Sequence, residues 1–219
     1  MPLYHLRKLK PVVKLLRQKG DLLVVYLDDF LILGRSYDEC VYNVEQTLKL
    51  LSYLGFLNNY EKCSLIPSNI CTFLGFVYNS KNLTRSLPEE KQNRILKMLR
   101  QFSSLLKCKI RDLSKIIGTL VSACPAIKYG FMHIKILERY KYLALKQSNG
   151  DYNKNLNMSQ EILNSLIWFI NKIPNTFNQI RINSYLIEVF TDASNSGWGA
   201  TERVKVRLVF GQKTKRNFI

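Results

Sequence analysis

The sequence has 219 residues, of which 47% are hydrophobic, and 33 Lys and Arg residues against 16 Asp and Glu give it a net charge of +17. This apolar content excludes a wholly disordered chain, while five cysteines without a CxxC pair and only two histidines argue against a disulfide framework or a zinc site. The longest apolar run, Leu22–Leu27, is too short to cross a membrane and the first twenty residues show no secretory signal. We therefore expect an intracellular protein, in the cytoplasm or the nucleus, without a membrane partner.

The excess of positive charge predicts a polyanionic partner. Nucleic acid is the leading candidate, since contacts between Lys or Arg and phosphate release counterions and give affinity that does not depend on sequence. A basic surface without a partner is the alternative, and an anionic membrane surface is a third, although no strongly basic amphipathic helix stands out. Charge alone leaves these alternatives open.

The chain begins with a pattern that predicts a helix followed by a hairpin. Apolar residues at helical spacing predict a helix over 1–19, with Gly20 as its stop. Two β-prone apolar runs, Leu22–Leu27 and Phe30–Leu33, then flank the acidic pair Asp28-Asp29. This arrangement predicts a tight hairpin with the aspartates at its tip.

The same spacing rules predict the elements that follow. Helices are predicted over 37–54, 87–106, 110–123, 126–146 and 162–170. Strands are predicted near 56–57, 72–77, 186–190 and 204–210, with Gly197–Gly199 in or beside another. Ser86 and Glu89 form a capping-box pattern at the start of the helix over 87–106.

Two stretches differ in composition from the rest of the chain. Residues 81–115 carry ten Lys or Arg against three acids, so this helical segment has a basic stripe. Such a stripe either follows a nucleic-acid backbone or is an ordinary solvated face. Residues 149–183 hold nine asparagines and are predicted to form a connector between domains.

The tetrapeptide Tyr26-Leu27-Asp28-Asp29 is the strongest candidate for chemistry. Adjacent carboxylates at a hairpin tip can bind Mg²⁺, which prefers oxygen ligands from carboxylates and substrate phosphates. Two such ions would stabilise the attacking and leaving oxygens of an in-line displacement. The alternative is that Asp-Asp merely makes a good turn, and the tetrapeptide alone does not decide between the two.

The surrounding sequence resembles the reverse transcriptases of LTR-type and related retrotransposons, most closely the DIRS-like elements, with gypsy-like relatives next. The tract from Val24 to Gly34 is similar to the palm hairpin that carries two catalytic aspartates. The other similar tracts follow in the family's order: Leu54–Asn58 and Glu61–Cys63 for the next palm motif, Phe73–Phe76 for the primer-grip turn, Val121–Gly130 for a helical segment, and Phe190–Ser194 with Gly197–Ala200 for the opening strands of a ribonuclease H domain.

The resemblance implies a role for each matching palm residue. Asp28 is implied to bind metal most directly, and Asp29 to point differently because successive strand side chains alternate. Tyr26 is implied to lie near the primer end or the incoming nucleotide. Lys62 matches a family lysine near the nucleotide phosphates that is proposed to protonate pyrophosphate, and an ordinary surface lysine is the alternative.

Roles are also implied outside the palm hairpin. Leu74, Gly75 and Phe76 are implied to place the primer terminus, and an ordinary core position is the alternative, more for Leu74 than for Gly75. Gly75 has no Cβ and therefore permits close approach of the backbone. Asp192 is implied to be the first metal ligand of the ribonuclease H site, with a strand-ending turn residue as the alternative.

Two departures from the family pattern predict that the chain is an incomplete piece. The family's palm needs a metal-binding aspartate on an earlier strand, yet residues 1–20 contain no Asp or Glu and only Asp21 precedes the hairpin. After Asp192 the only acid is Glu202, so later acids of the ribonuclease H site are missing too. Two-metal chemistry needs more carboxylates than these, so the sequence does not predict activity for this chain alone.

We predict an α+β fold in four parts: the C-terminal part of a polymerase palm at 1–80, a helical thumb and connection at 81–148, a connector at 149–184, and the start of a ribonuclease H-like domain at 185–219. The resemblance implies an RNA-directed DNA polymerase that uses Mg²⁺, or Mn²⁺, in two-metal nucleotidyl transfer. Its implied partners are an RNA template, a DNA primer or RNA–DNA hybrid, and deoxynucleoside triphosphates. The alternatives are an inactive retroelement remnant that only binds nucleic acid, and a partner-binding protein with no nucleic-acid role.

Overall fold

The computed structural model describes residues 2–180, 187–194, 197–204 and 216–218. Its helices are α1 Pro2–Gln18, α2 Tyr37–Tyr53, α3 Glu89–Ser103, α4 Ile110–Ala123, α5 Gly130–Gln147 and α6 Gln160–Lys172. Its strands are β1 Leu22–Tyr26, β2 Asp29–Leu33, β3 Ile70–Phe73, β4 Phe76–Asn79, β5 Thr84–Ser86, β6 Lys107–Lys109, β7 Asn155–Asn157, β8 Phe177–Gln179, β9 Ile187–Ser194, β10 Gly197–Val204 and β11 Arg216–Phe218. This mixture of helices and antiparallel sheets confirms the predicted α+β class.

Helices α1 and α2 share a small hydrophobic core with the β1–β2 hairpin. Helix α1 stops before Gly20, whose φ of +99° is adopted readily only by a residue without a Cβ. Strands β1 and β2 pair, which confirms the hairpin predicted around Asp28 and Asp29. The apolar faces of both helices pack on this hairpin. The buried apolar side chains of this core are Leu9, Val12, Leu16, Leu23 and Leu51.

A four-stranded antiparallel sheet, in the order β3-β4-β5-β8, occupies the middle of the chain. Strand β3 pairs with β4 through a tight turn, and β5 pairs with β4 on one side and with β8 on the other. Strand β5 precedes α3 in sequence and β8 follows α6. Because β5 and β8 are paired, the sheet joins the two ends of the segment that contains helices α3 to α6.

Helices α3 to α6 surround a second hydrophobic core, which is larger than the one beside the hairpin. Helix α5 packs against α4 and α6, and α3 packs against α6. Each helix buries residues that recur every three or four positions, as an amphipathic helix should. The fully buried side chains of this core include Leu87, Ile95, Leu99, Leu113, Leu120, Ile134, Leu137, Ile162 and Phe169.

The asparagine-rich stretch that we predict as a connector contributes to this helical unit. Strand β7 pairs with β6, helix α6 buries Ile162, Leu166 and Phe169 in the core, and β8 joins the sheet. Apolar residues at helical spacing between the asparagines are sufficient to bury one face of α6. The boundaries of the four predicted parts stay a prediction.

Two local predictions in the first half of the chain are wrong. No strand forms at 56–57, where the chain leaves α2 in an irregular loop. Ser86 does not cap α3, because it belongs to β5 and lies in the ladder opposite Phe177. The helix instead begins at Glu89 after Pro88, without a side-chain cap.

The start of α5 also differs from the prediction. The helix begins at Gly130 rather than at 126, because Cys124–Ala126 form a 3₁₀ turn and Tyr129 adopts a φ of +68°.

None of the described helices combines the length and the apolar character that a bilayer-spanning helix needs.

Strands β9, β10 and β11 form an antiparallel sheet in the order β11-β10-β9. Strands β9 and β10 correspond to the strands predicted near 186–190 and at Gly197–Gly199, and their register places Asp192 opposite Gly199. The strand predicted at 204–210 lies outside the described residues, apart from the end of β10.

Candidate nucleic-acid site

The hairpin tip brings together three of the predicted site residues. Tyr26, the last residue of β1, pairs with Asp29, the first residue of β2. Leu27 and Asp28 therefore form a two-residue turn between the strands. Leu27 has a φ of +54°, a conformation that costs a residue with a Cβ about 1–3 kcal/mol. Strain of this kind persists where the surrounding structure imposes it, and it clusters in functional segments.

Asp28 and Asp29 lie side by side and exposed at this tip. In the described part of the chain, neither carboxylate takes part in a hydrogen bond or an ion pair, and no cluster of three or more His, Cys, Asp or Glu side chains forms a metal cage. Mg²⁺ is commonly bound by one or two carboxylates together with waters and substrate phosphates. The exposed pair is of the oxygen-donor type that such an ion takes, and the described residues add no third carboxylate, His or Cys beside it.

Neighbouring elements fix the direction in which the hairpin presents its tip. The buried Asn43 of α2 donates from Nδ2 to the Leu33 carbonyl at 3.1 Å, and Arg17 of α1 donates from Nη2 to the Leu23 carbonyl at 3.2 Å. Gly34 allows α2 to approach, since a Cβ at this residue would lie only 2.5 Å from the backbone nitrogen of Cys40. Both strands are therefore held by a helix.

The β3–β4 turn brings together the second group of predicted residues. Phe73 pairs with Phe76, so Leu74 and Gly75 form a two-residue turn, with φ angles of +49° and +74°. Positive φ at both central residues is typical of a type I′ hairpin, whose twist matches that of its strands. Leu74 is exposed, so it does not occupy the core position that was its alternative assignment.

Phe76 connects this turn to the helical core. Its half-buried ring packs against the core residues, and two cations lie near the ring face. Arg85 Cζ is 5.4 Å from the ring centroid and Lys91 Nζ is 4.8 Å from it. Both distances lie within the range of cation–π interactions.

Arg85 also links the sheet to the helical unit. From β5 it donates through Nε, at 3.0 Å, and through Nη2 to the Pro125 carbonyl, which lies between α4 and α5. Asn178 of β8 donates from Nδ2 to the same carbonyl at 3.2 Å. Hydrogen bonds from a guanidinium are strong because the donor is charged. These bonds to the Pro125 carbonyl therefore hold the four-stranded sheet to the helices.

Helix α3 presents a basic face to solvent. Burial of Ile95 and Leu99 on one side leaves Arg94, Lys97 and Arg100 exposed on the other. The ion pairs found among the described residues lie elsewhere, at Lys49–Glu45, Lys115–Asp112 and Lys135–Glu138. The cations of α3 thus have no carboxylate partner in that part of the chain, and phosphates could serve in that place.

No side-chain hydrogen bond or ion pair among the described residues joins Lys62 to either group. Lys62 is exposed at the end of the 3₁₀ turn Tyr60–Lys62. Asp192 is placed only by its backbone, on β9 opposite Gly199. Sequence reasoning did not single out Arg85 and Lys91, because nothing within the run of ten cations over 81–115 distinguishes the two that reach the Phe76 ring.

No protein-family profile matches this sequence, and a search of curated protein sequences finds no match. The solved structure of the foamy viral protease-reverse transcriptase in complex with dsDNA is similar, with a TM-score of 0.59 and 20% identity over 100% of this chain and 42% of that chain. The structure of the foamy viral protease-reverse transcriptase dRH in complex with ds DNA has a TM-score of 0.59 and 21% identity, over 95% of this chain and 34% of that one. The chain therefore spans less than half the length of these two proteins, and its fold is similar to part of these reverse transcriptase structures.

Proposed function

We propose that this chain is part of an RNA-directed DNA polymerase, the reverse transcriptase of a DIRS-like or gypsy-like retrotransposon. The observation that carries the proposal is the hairpin tip, where Asp28 and Asp29 lie exposed and adjacent on a reverse transcriptase-like fold. Both foamy viral structures contain double-stranded DNA, which is the class of ligand that we propose for the basic surface of this chain.

Each residue of the palm part has a defined task in this proposal. Asp28 and Asp29 would hold Mg²⁺, or Mn²⁺, through their carboxylate oxygens. Such an ion would supply electrostatic stabilisation for the attack of the primer 3′ hydroxyl on the α-phosphorus of the deoxynucleoside triphosphate. Tyr26, exposed at the end of β1, orients the primer end or the incoming nucleotide, and Lys62 supplies charge and a proton to the departing pyrophosphate.

The remaining parts bind and place the nucleic acid. The exposed cations of α3 contact backbone phosphates of the RNA template and DNA primer, which suits an enzyme that is indifferent to base sequence. The turn at Leu74, Gly75 and Phe76 places the primer terminus. Strands β9 to β11, with Asp192, form the opening of a ribonuclease H-like domain.

A chain that binds nucleic acid without catalysis is the second candidate. It is favoured by one observation, that no cluster of three metal-ligating side chains occurs among the described residues. The basic face of α3 would retain its function in such a remnant, since phosphate binding needs no metal site.

Primer extension on an RNA template tests the polymerase proposal. We expect Mg²⁺-dependent extension from a form lengthened at its N-terminus by the family's aspartate strand. Asp28→Asn should lower the rate by at least about 100-fold, because losing even an outer partner of a metal ligand costs 10- to 100-fold. Asp38→Asn, which changes an exposed acid in the first turn of α2, should leave the rate nearly unchanged.

The outcomes separate the two candidates. Extension that survives Asp28→Asn would contradict the site assignment. If neither the chain itself nor the lengthened form extends a primer while both still bind a duplex, the chain is a remnant that only binds nucleic acid.

A further inference from the structure

We propose that Lys91 is a ligand for a backbone phosphate of the primer strand at the β3–β4 turn. The proposal rests on the function proposed above and deepens it, because it assigns the charged contact that this turn needs. Leu74, Gly75 and Phe76 carry no charge, so they cannot by themselves neutralise a phosphate.

The position of Lys91 places its ammonium group directly on the turn. The residue lies half-buried in the first turn of α3, with Nζ 4.8 Å from the centroid of the Phe76 ring. A Cβ built on Gly75 would lie 3.7 Å from the same nitrogen. A phosphate that approached the backbone at Gly75 would therefore meet the Lys91 ammonium at close range.

In the described part of the chain, no anion balances the charge of Lys91. Among the described residues Lys91 makes no hydrogen bond or ion pair, and Glu89 and Glu90, its neighbours in sequence, are not paired with it. Burial lowers the pKa of Lys91, and the nearby Arg94 lowers it further. A partly desolvated cation beside other cations is unfavourable until an anion joins it.

Arg85 is less available than Lys91 for a phosphate. Two of its nitrogens already donate to the Pro125 carbonyl, whereas the three ammonium protons of Lys91 have no acceptor within the described residues. Arg85 thus holds the Phe76 ring while Lys91 supplies the free donor. A lysine is a compact point charge, which suits a single phosphate oxygen.

Duplex binding by the full chain tests the proposal when Lys91→Met is compared with Lys128→Met. Lys128 is a matched control, because its Nζ lies 5.0 Å from the Tyr129 ring centroid in the same kind of contact, but exposed and on another turn. We expect K91M to weaken binding of a primer–template duplex severalfold, and to lower the slope of log affinity against log salt by about 0.9, the value for one phosphate. K128M should change both far less, and Lys91→Arg should restore most of the affinity.

A duplex with one neutral methylphosphonate among the last primer phosphates identifies the partner. At the contacted position the neutral linkage should weaken binding to the wild-type chain and leave binding to K91M unchanged. Three outcomes would overturn the assignment. K91M and K128M could weaken duplex binding equally, or the methylphosphonate could still weaken binding to K91M. The third outcome is that K91M loses affinity only for free deoxynucleoside triphosphate. If the unmodified chain bound no duplex, the proposed function itself would fail, and thermal melting of each variant excludes unfolding as the cause of any loss.

Discussion

At Leu27 the backbone adopts a conformation that its side chain disfavours, and this strain is tied to the position of the two aspartates. A residue with a Cβ at positive φ is held there only if the surroundings impose it. Here the surroundings are the register of β1 with β2 and the contacts from α1 and α2 to both strands. The stability of the fold thus maintains a tip that the local sequence does not favour.

Gly34 provides a direct test of how α2 supports this tip. A Cβ at residue 34 would lie 2.5 Å from the Cys40 nitrogen, so Gly34→Ala forces α2 away from the hairpin. We expect the free energy of unfolding to fall by about 1–3 kcal/mol, as overpacking generally costs. The measurement is urea denaturation followed by circular dichroism.

Gly118 serves as the control for that substitution. It is exposed within α4, and a Cβ there would meet no atom within 4 Å. Gly118→Ala should therefore raise the free energy of unfolding by up to about 1 kcal/mol, because alanine is the better helix former. Equal stabilisation by both substitutions would show that α2 does not approach the hairpin at Gly34.

For the hairpin, the sequence predicts which residues form the tip but not how they are held. The two apolar runs are enough to place Asp28 and Asp29 at a turn. Leu-Asp is not among the residue pairs that favour positive φ, so the strain at Leu27 has no local signal. The contacts of Arg85 and Lys91 with Phe76 likewise depend on tertiary packing, which residue spacing does not encode.

Between elements, the Pro125 carbonyl is the junction that joins the central sheet to the helices. Arg85 of β5 and Asn178 of β8 both donate to this carbonyl, so side chains from two neighbouring strands share one acceptor. Only Arg85 also contacts the Phe76 ring beside the turn. The two donors therefore share a structural task but differ in their link to the proposed primer site.

Substitution of these two donors should separate stability from control of the turn. Arg85→Gln should lower the free energy of unfolding by about 1–3 kcal/mol, and Asn178→Ala by about 0.5–1.5 kcal/mol, as expected for charged and neutral donors. In hydrogen exchange, Arg85→Gln should also speed exchange of amides in β3 and β4, because Phe76 loses its guanidinium contact. Equal exchange rates in the two variants would mean that Arg85 acts on stability alone.

Elements were predictable where local spacing decides them and not where distant pairing does. Helices α2 and α4 follow their apolar periodicity, and they form close to the predicted residues. The capping pattern at Ser86 fails because β8, far along the chain, recruits this residue into a ladder. The predicted connector contributes to the helical unit for the same reason, since β7 and β8 pair with strands that precede it by many residues.

In the molecule as a whole, positive charge remains largely unbalanced. The chain carries a net charge of +17, and the ion pairs among its described residues are short-range helix pairs that leave α3 uncompensated. Such a surface repels itself until a polyanion binds. The order of the motifs along the chain predicted a fold of the kind seen in the foamy viral structures, although no single motif was sufficient.

The most direct test of the proposal is whether a metal ion at Asp28 and Asp29 lies beside a primer end. Fe²⁺ is a divalent ion that would occupy the proposed Mg²⁺ site, and with ascorbate and peroxide it generates hydroxyl radicals. These radicals cleave the nearest nucleotides without any need for polymerase activity. We predict cleavage of the bound primer within its last few nucleotides, and loss of this cleavage when Asp28 and Asp29 are both replaced by Asn. Uniform cleavage along the duplex, or the same pattern in the doubly substituted chain, would contradict the proposal.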